Sequence, residues 1–323
     1  KKALDGQSLD VVWNLTLAAN IISANVQYGQ IEDIKAVSGV RDVVLEALYE
    51  PCEVDEGEEY EPNMSTSPEQ IGSPAAYAAG YTGAGTRIAI VDTGLDLDHI
   101  SFSAAGFQYS LALQAGRADV SVEDYIQQLD LLDAEEIQAH LDQLNVKEYA
   151  AGITADGLYQ NRKVPFGYNY IDRSHTYLGH DQDLEGEHGS HVAGIATSNA
   201  YISNGDGTFS TALDSVLVQG VAPDAQLLVM KVFGQNGGAY DSDYMAAIED
   251  AIVLGADSVN LSLGSTSPGF TRSEAYQEVM DRLTESDTVV VISAGNAGHW
   301  ADNGFHGRKG YLYAEDVDMY TGG

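Results

Sequence analysis

Three residues of the chain have side chains and sequence contexts that suit acyl-transfer chemistry. The apolar run RIAIVDTG predicts a buried strand that carries Asp92 at its carboxyl end. The run TVVVISAGNAG predicts a second buried strand, which is followed by Asn296. Between them, LEGEHGSHVAGIATS has the spacing of a helix with His188 in its first turn. Two of the three functional side chains are therefore expected at strand ends and the third at a helix start.

These three residues could meet at one rim of a sheet. In open parallel sheets, ligands bind outside the carboxyl ends of the strands. There a carboxylate can orient an imidazole, the imidazole can act as a general base, and an amide can hydrogen-bond a developing oxyanion. For His188 taken alone, a core histidine at a helix start is the alternative interpretation.

The order of four motifs resembles a known family. AIVDTG, HGSHVAGIA, NLSLG and SAGN are similar to the motifs of the subtilisin-like serine proteases, and GVAPDAQLLVMKVF resembles the large secreted cell-envelope proteinases of that family. Ser190 stands where the family usually has threonine. The resemblance, which covers roughly residues 70 to 323, implies an α/β fold: a doubly wound parallel sheet with helices on both faces. It also implies that Asp92, His188 and Asn296 are catalytic.

The same resemblance implies the residues that bind substrate. Two backbone edges can hold an extended peptide through main-chain hydrogen bonds, while pockets between them distinguish side chains. Without the family, the glycines among these residues would be interpreted as ordinary turn residues. The first edge is formed by Gly237, Gly238 and Ala239, and the second by Ser262, Leu263 and Gly264. The wall of the primary specificity pocket is formed by Ser293, Ala294 and Gly295.

No serine of the chain has the context expected of the family's nucleophile. The Gly-Thr-Ser-Met-Ala type of motif does not occur, and Ser65, Ser67, Ser262 and Ser293 all lack it. We therefore expect a fold that is incomplete at its carboxyl-terminal end, with the catalytic serine beyond residue 323. Residues 1–323 alone should then be inactive.

Other functions would need residues that the sequence lacks or leaves undecided. Aspartic proteases need two carboxylates that share a proton, and Asp92-Thr93-Gly94 has no second copy. A catalytic zinc is disfavoured because His188 and His191 lack an obvious third ligand and no HExxH motif occurs. A non-catalytic pseudo-protease that binds peptides and an inhibitory fragment stay open as alternatives.

Residues 1–51, which we call the N-terminal unit, resemble part of an inhibitory propeptide. The similarity lies in VQYGQIEDIKAVSGVRDVVLEALYEP, where we predict strands at Asn25 to Tyr28 and Asp42 to Leu48 and a helix at Gln30 to Val37. The resemblance implies that such a unit packs its sheet on the enzyme and lays its tail through the substrate cleft like a product. A small independent αβ domain without inhibitory role is the alternative.

Three further segments complete the predicted organisation. Residues 52–70 are acidic and aperiodic, which is typical of an exposed linker, and the family resemblance implies a maturation cleavage there. Residues 71–323 form the protease-like part. Within it, the inserted segment, about residues 104–162, predicts a pair of surface helices that act as a solvated cover. Residues 202–217 predict a polar loop in which Asp206 and its glycines resemble a calcium loop without the full ligand spacing.

Composition limits the partners and the location. The chain has 323 residues, of which 44% are hydrophobic, and a formal net charge of −34, which disfavours nucleic acid and anionic membranes as partners. Carboxylates could hold structural calcium, although the chemistry requires no cofactor. The single cysteine, Cys52, excludes an internal disulfide. No apolar run approaches the roughly 18 residues of a membrane span, and we expect Lys1 to be a processed boundary. We expect a secreted or cell-envelope protein whose partners are peptide or protein substrates and its own propeptide.

Overall fold

The structure is a computed structural model, and it describes residues 9–51, 67–149, 152–174, 187–215, 218–234, 238–264 and 274–293. The N-terminal unit contains an antiparallel pair of strands, a short helix and a third strand, which does not pair with the first two. Its elements are β1 (Asp10–Leu15), β2 (Ile21–Asn25), α1 (Ile31–Lys35) and β3 (Leu48–Pro51).

The rest of the described chain alternates strands and helices, as an α/β fold requires. Its strands are β4 (Arg87–Asp92), β5 (Phe166–Asn169), β6 (Tyr201–Ser203), β7 (Phe209–Thr211), β8 (Gln226–Lys231), β9 (Ala239–Tyr240), β10 (Ser258–Leu261), β11 (Leu263–Gly264) and β12 (Val289–Ile292). Its helices are α2 (Ser67–Ile71), α3 (Ser73–Ala78), α4 (Ala104–Arg117), α5 (Val122–Gln128), α6 (Ala134–His140), α7 (Asn145–Tyr149), α8 (Ala155–Leu158), α9 (His188–Thr197), α10 (Asp241–Val253) and α11 (Glu274–Glu285).

Five strands form a parallel sheet in the order β12, β10, β4, β8, β5. β4 and β8 lie near its centre, where both faces are covered, so their near-continuous apolar sequences are those expected of parallel strands. The register pairs Asp92 with Lys231 at the carboxyl ends. This sheet confirms the predicted α/β class.

Successive residues of the central strands face two separate cores. Ile90 and Val229 pack on one face with Ala193 of α9. Ala89 and Leu228 point to the other face, in the larger core that includes α10 and α11. Because side chains alternate along a strand, helices on both faces are needed to bury them. The predicted helices on both faces are therefore present.

Four sequence predictions of local structure were wrong. The strand predicted at Asn25 to Tyr28 is absent, because β2 ends at Asn25 and a turn of 3-10 helix begins at Tyr28. β12, which was expected to be buried, is largely exposed, because it is the outermost strand of the described sheet and pairs there with β10 alone. The strand predicted at Asp42 to Leu48 is absent there; the strand instead runs over Leu48–Pro51, between β9 and β11. Its position depends on those partners and not on its own periodicity. The polar loop predicted over residues 202–217 contains the antiparallel hairpin of β6 and β7, with Asp206 in its turn.

The inserted segment is more than the predicted pair of surface helices. It forms α4 to α8, and several of its apolar side chains belong to the larger core, namely Leu132, Ile137, Leu141, Leu144 and Val146. Four of its helices are capped at their amino-terminal ends by side-chain oxygens, which accept hydrogen bonds from backbone amides that lack intrahelical partners. The capping residues are Ser103, Ser121, Asp133 and Thr154. The prediction that the inserted segment is only a solvated cover was therefore wrong, because these apolar side chains are buried in the core. Among the described helices, none is both long and apolar enough to cross a bilayer.

Candidate active site

Asp92 and His188 form a close, largely buried pair. Asp92 ends β4 with its side chain 1% exposed, and its Oδ1 lies 2.8 Å from Nδ1 of His188, which is 15% exposed. The same oxygen accepts a hydrogen bond from the amide of Thr93 at 2.7 Å. With a proton on Nδ1, the imidazole donates to the carboxylate and Nε2 becomes the basic nitrogen. The pair can therefore hold one tautomer of the histidine.

His188 reaches Asp92 because α9 approaches the end of β4 very closely. The amide of Gly189 donates to the hydroxyl of Thr93 at 2.8 Å. A Cβ on Gly189 would collide with the carbonyl oxygen of Gly94, so a side chain is not tolerated there. Lys231, buried in β8, donates to the carbonyl of Thr93 at 2.5 Å. Sequence reasoning missed Thr93 and Lys231, although a hydroxyl next to the aspartate was an available signal for Thr93.

Ser190, which stands where the family usually has threonine, uses its hydroxyl in a hydrogen bond to the loop after β4. Its hydroxyl accepts a hydrogen bond at 2.7 Å from the amide of Asp96, in the loop that follows Asp92. Either hydroxyl residue provides such an acceptor. The interaction ties the first turn of α9 to the loop after β4.

The extended backbones of β9 and β11 line the two sides of a cleft, and β3 lies between them as the middle strand. β3 pairs antiparallel with both strands: Tyr49 pairs with Ala239, and Pro51 pairs with Leu263. Gly238 has φ +83°, and a Cβ there would stand 2.7 Å from Cδ1 of Leu48. The backbone of the N-terminal unit thus occupies the space between the two predicted substrate edges.

The structure brings some of the predicted substrate-binding residues together and leaves others undescribed. Gly238, Ala239, Leu263 and Gly264 adjoin β3, and Ser262 links β10 to β11. Ser293 lies beside the second edge, where its amide donates to the carbonyl of Leu261 at 3.1 Å and its hydroxyl to that of Leu263 at 3.4 Å. Four predicted site residues lie outside the described residues: Gly237, Ala294, Gly295 and Asn296.

Tyr244 is a residue of the cleft that sequence reasoning missed. Its ring makes an edge-to-face contact with Tyr49, with centroids 5.4 Å apart and planes at 87°. Tyr49 is 7% exposed and Tyr244 is 1% exposed. The position of Tyr244 in the first turns of α10, next to a glycine-rich loop, gave no sign that it would contact an extended segment.

The described residues contain no group of three histidine, cysteine or acidic side chains arranged to hold a metal ion. Asp206 accepts hydrogen bonds from the amide and hydroxyl of Thr208 at 2.9 and 2.6 Å, and the hydroxyl hydrogen bond lowers the pKa of Asp206. Its carboxylate therefore stabilises the turn between β6 and β7. His175 and His180, which stand near several acidic residues in the sequence, lie outside the described residues.

Comparison with known sequences identifies the family. The sequence profile of the subtilase family, Peptidase_S8, matches residues 83–314. The chain belongs to the subtilase family. As a subtilase it is 30% identical to PI-type proteinase of Lactococcus lactis subsp. cremoris over 303 residues, which is 93% of this chain. It is 26% identical over 243 residues to minor extracellular protease Vpr of Bacillus subtilis, and 30% identical over 238 residues to C5a peptidase of Streptococcus pyogenes serotype M18.

The alignments involve a small part of these relatives. The chain spans 13% of the length of the PI-type proteinase, 21% of Vpr and 17% of the C5a peptidase. The aligned residues make up 93% of this chain in the comparison with PI-type proteinase and 73% in the comparisons with Vpr and the C5a peptidase. The similarity to PI-type proteinase therefore includes most of the N-terminal unit in addition to residues 71–323, which we call the subtilase part.

Proposed function

We propose that this subtilase is part of a serine endopeptidase that hydrolyses peptide bonds by acyl transfer. The observation that carries the proposal is the 2.8 Å contact of His188 with Asp92 at the carboxyl end of β4, in a protein whose two predicted substrate edges already hold an extended segment, β3. The carboxylate and the base of a serine protease have this mutual geometry. The nucleophilic serine lies in sequence that follows residue 323, in keeping with relatives many times the length of this chain.

Each residue then has one role in the reaction. Asp92 holds the proton on Nδ1 of His188, so that Nε2 takes the proton of the serine hydroxyl as it attacks the substrate carbonyl. The resulting imidazolium gives the proton to the leaving amine, and water repeats the cycle on the acyl-enzyme. Asn296 donates to the tetrahedral oxyanion; the loss of one such donor typically costs about 10²–10³ in kcat.

The substrate is an extended peptide or protein segment. It forms a strand between the edge of Gly237, Gly238 and Ala239 and that of Ser262, Leu263 and Gly264, as β3 does here. Ser293, Ala294 and Gly295 wall the primary specificity pocket. Backbone pairing gives affinity without regard to sequence, and pockets along the cleft give preference. The orientation of β3, antiparallel to both edges, supports this binding mode.

The N-terminal unit is an inhibitory propeptide in this proposal. Its strand β3 blocks the cleft, and cleavage of the linker between Cys52 and Gln70 followed by release of residues 1–51 opens it. The similarity to PI-type proteinase over 93% of the chain supports a shared arrangement of the two parts. We further propose that the enzyme is secreted or attached to the cell envelope, in keeping with a relative named as an extracellular protease.

The test uses the complete protein and residues 1–323 in parallel, each treated with a phosphonylating probe of active-site serines. We expect the complete, matured protein to be labelled on a peptide that follows residue 323 and to hydrolyse peptides, while residues 1–323 show neither. Amino-terminal sequencing of the active form should give a start within the linker. Labelling within residues 1–323 would overturn the assignment of the nucleophile. A complete protein that binds peptides but is neither labelled nor active would instead be a non-catalytic binding module.

A further inference from the structure

The N-terminal unit is held on the subtilase part by carboxylates of α10. Oε1 of Glu249 accepts hydrogen bonds from the amides of Leu17 and Ala18 at 2.9 and 2.7 Å, and more weakly from that of Ala19 at 3.4 Å. These amides belong to the turn between β1 and β2, where the hairpin leaves them without strand partners. One oxygen of Glu249 therefore serves three successive backbone donors.

Other contacts hold the unit near the start of the same helix. The indole nitrogen of Trp13 donates to Oδ1 of Asp243 at 2.8 Å. The carboxylate of Glu46 accepts a hydrogen bond from the amide of Ser242 at 2.9 Å, and that of Asp241 accepts one from the amide of Ala47 at 2.8 Å. The N-terminal unit thus donates hydrogen bonds to α10 and also accepts one from it.

The inserted segment supplies the second oxygen of Glu249 with its donor. Nδ2 of Asn145, the first residue of α7, donates to Oε2 of Glu249 at 3.1 Å. The backbone amides of Asn145 and Val146 donate to the two oxygens of Asp250 at 2.6 and 3.3 Å. α7 also lies directly against β1. The side chain of Asn145 therefore joins the inserted segment to the residue that holds the hairpin turn.

A glutamate with one carboxylate oxygen fixed is better placed to receive donors on the other. Ordering a free glutamate side chain costs rotamer entropy, and a hydrogen bond from Asn145 can meet part of that cost before the N-terminal unit binds. Asn145 is 8% exposed and itself held through its backbone to Asp250, so it is a rigid donor. The site for the turn is thus prepared by a segment that is distant in sequence.

We propose that the inserted segment is part of the surface that recognises the N-terminal unit, with Asn145 as the positioning residue for Glu249. The partner is residues 9–51 of the same chain, so the inserted segment determines how long the cleft stays blocked once the linker is cut. This inference rests on the proposed function in taking that unit as releasable. It assigns to the inserted segment a role in regulation, in addition to its contribution to the core.

The experiment measures release of the N-terminal unit from the complete protein. The protein carries His188→Ala to prevent self-digestion and a site for a sequence-specific protease inserted within the linker. It is immobilised through a tag before Lys1, the linker is cut, and the dissociation rate of the remainder is recorded. A series of sub-denaturing urea concentrations brings every variant into the measurable range. The readout does not depend on hydrolysis, so its failure is distinct from failure of the proposed enzyme activity.

We expect Asn145→Ala to raise the dissociation rate up to about tenfold, because Glu249 loses the donor that holds its carboxylate in place for the three amides of the hairpin turn. Glu249→Gln should raise it at least as much, and adding Asn145→Ala to Glu249→Gln should add little, because the two residues act as a unit. Gln143→Ala is the matched control: its side chain contacts His140 within the inserted segment, and the rate should not change.

Thermal unfolding of the uncut protein identifies any variant that fails to fold. In that event Asn145→Asp replaces Asn145→Ala; it keeps the size of the side chain but sets a like charge against Glu249, and should accelerate release further. An Asn145→Ala rate within twofold of the parent would overturn the proposal. So would an equally large effect of Asn145→Ala in the Glu249→Gln background.

Discussion

Helices α9 and α10 pack on opposite faces of the same sheet but are built for different tasks. α9 buries small residues, Gly189 and Ala193, and so lies close enough to β4 for His188 to contact Asp92. α10 is buried along residues 242–251, including carboxylates, which receive donors from the N-terminal unit and the inserted segment. The comparison teaches that the contact between His188 and Asp92 depends on two elements, β4 and α9, whereas the polar face of α10 also depends on donors from two other parts of the chain, the N-terminal unit and the inserted segment.

The largest expected effect concerns Asp92 and His188, the proposed catalytic pair. In the complete protein, His188→Ala should lower kcat for peptide hydrolysis by about 10⁶-fold, the magnitude found for subtilisin, and Asp92→Ala added to it should cost little more because the triad acts as a unit. Steady-state kinetics on a fluorogenic peptide measures both, with circular dichroism as the check on folding. Multiplicative losses from the two changes would contradict a shared mechanism.

The next effect concerns the carboxylates of α10 and pH. The pKa of Asp243 is raised from 3.8 to about 6, chiefly by burial and in smaller part by the carboxylate of Glu46, while the Trp13 hydrogen bond and Arg173 oppose the rise. Burial likewise raises the pKa of Asp250 to about 7. An acid with a raised pKa binds its proton more tightly in the folded state. The resulting loss of stability is therefore absent below pH 3.8 and complete above about pH 7.

Asp243→Asn tests this linkage because it keeps an acceptor for Trp13 and removes the charge. The free energy of unfolding of the variant, relative to the parent, should increase between pH 4 and pH 7 by roughly 3 kcal/mol, at about 1.4 kcal/mol per pKa unit. Urea titrations at a series of pH values provide the measurement, and taking the difference cancels the carboxylates common to both proteins. A difference that is constant with pH would show that Asp243 is already charged in the folded protein.

A smaller effect tests the close approach of α9. Gly189→Ala should destabilise the protein by about 1–3 kcal/mol through overpacking and also reduce kcat, since moving α9 outward separates His188 from Asp92. Gly194→Ala is its control, because a Cβ there has open space and alanine favours the helix by up to about 1 kcal/mol. Thermal unfolding and kinetics of both variants give the comparison. Equal behaviour of the two variants would disprove the steric argument.

The smallest effect concerns side-chain preference in the cleft. If Tyr49 marks where a substrate side chain lies, peptides with an aromatic residue at the position that pairs with Ala239 should be preferred. Tyr244→Ala should reduce that preference about two- to twelvefold, because an aromatic pair contributes about 0.5–1.5 kcal/mol beyond its buried area, whereas Tyr244→Phe should retain it. The ratio of kcat/KM for an aromatic and an alanine peptide is the measurement. An unchanged ratio in Tyr244→Ala would place the aromatic side chain elsewhere.

Much of the sheet could be predicted from local patterns. The apolar runs that became β4 and β8 and the helical spacing of α9 and α10 specify their elements within a few residues, because burial on both faces requires continuous apolar sequence and helices require a 3.6-residue period. The motifs around Asp92 and His188 also predicted that these side chains would be near each other. The place of Asn296 stays a prediction.

What the sequence by itself determined is the α/β class, the family motifs and the residues suited to acyl transfer. Tertiary structure alone decided where β3 forms, how deeply the inserted segment is buried, and which residues hold the N-terminal unit. β3 is a strand because β9 and β11 supply its hydrogen bonds, and Trp13 contacts Asp243 across 230 residues. Local periodicity carries no information about such pairings, since each depends on the partner that folding brings to it.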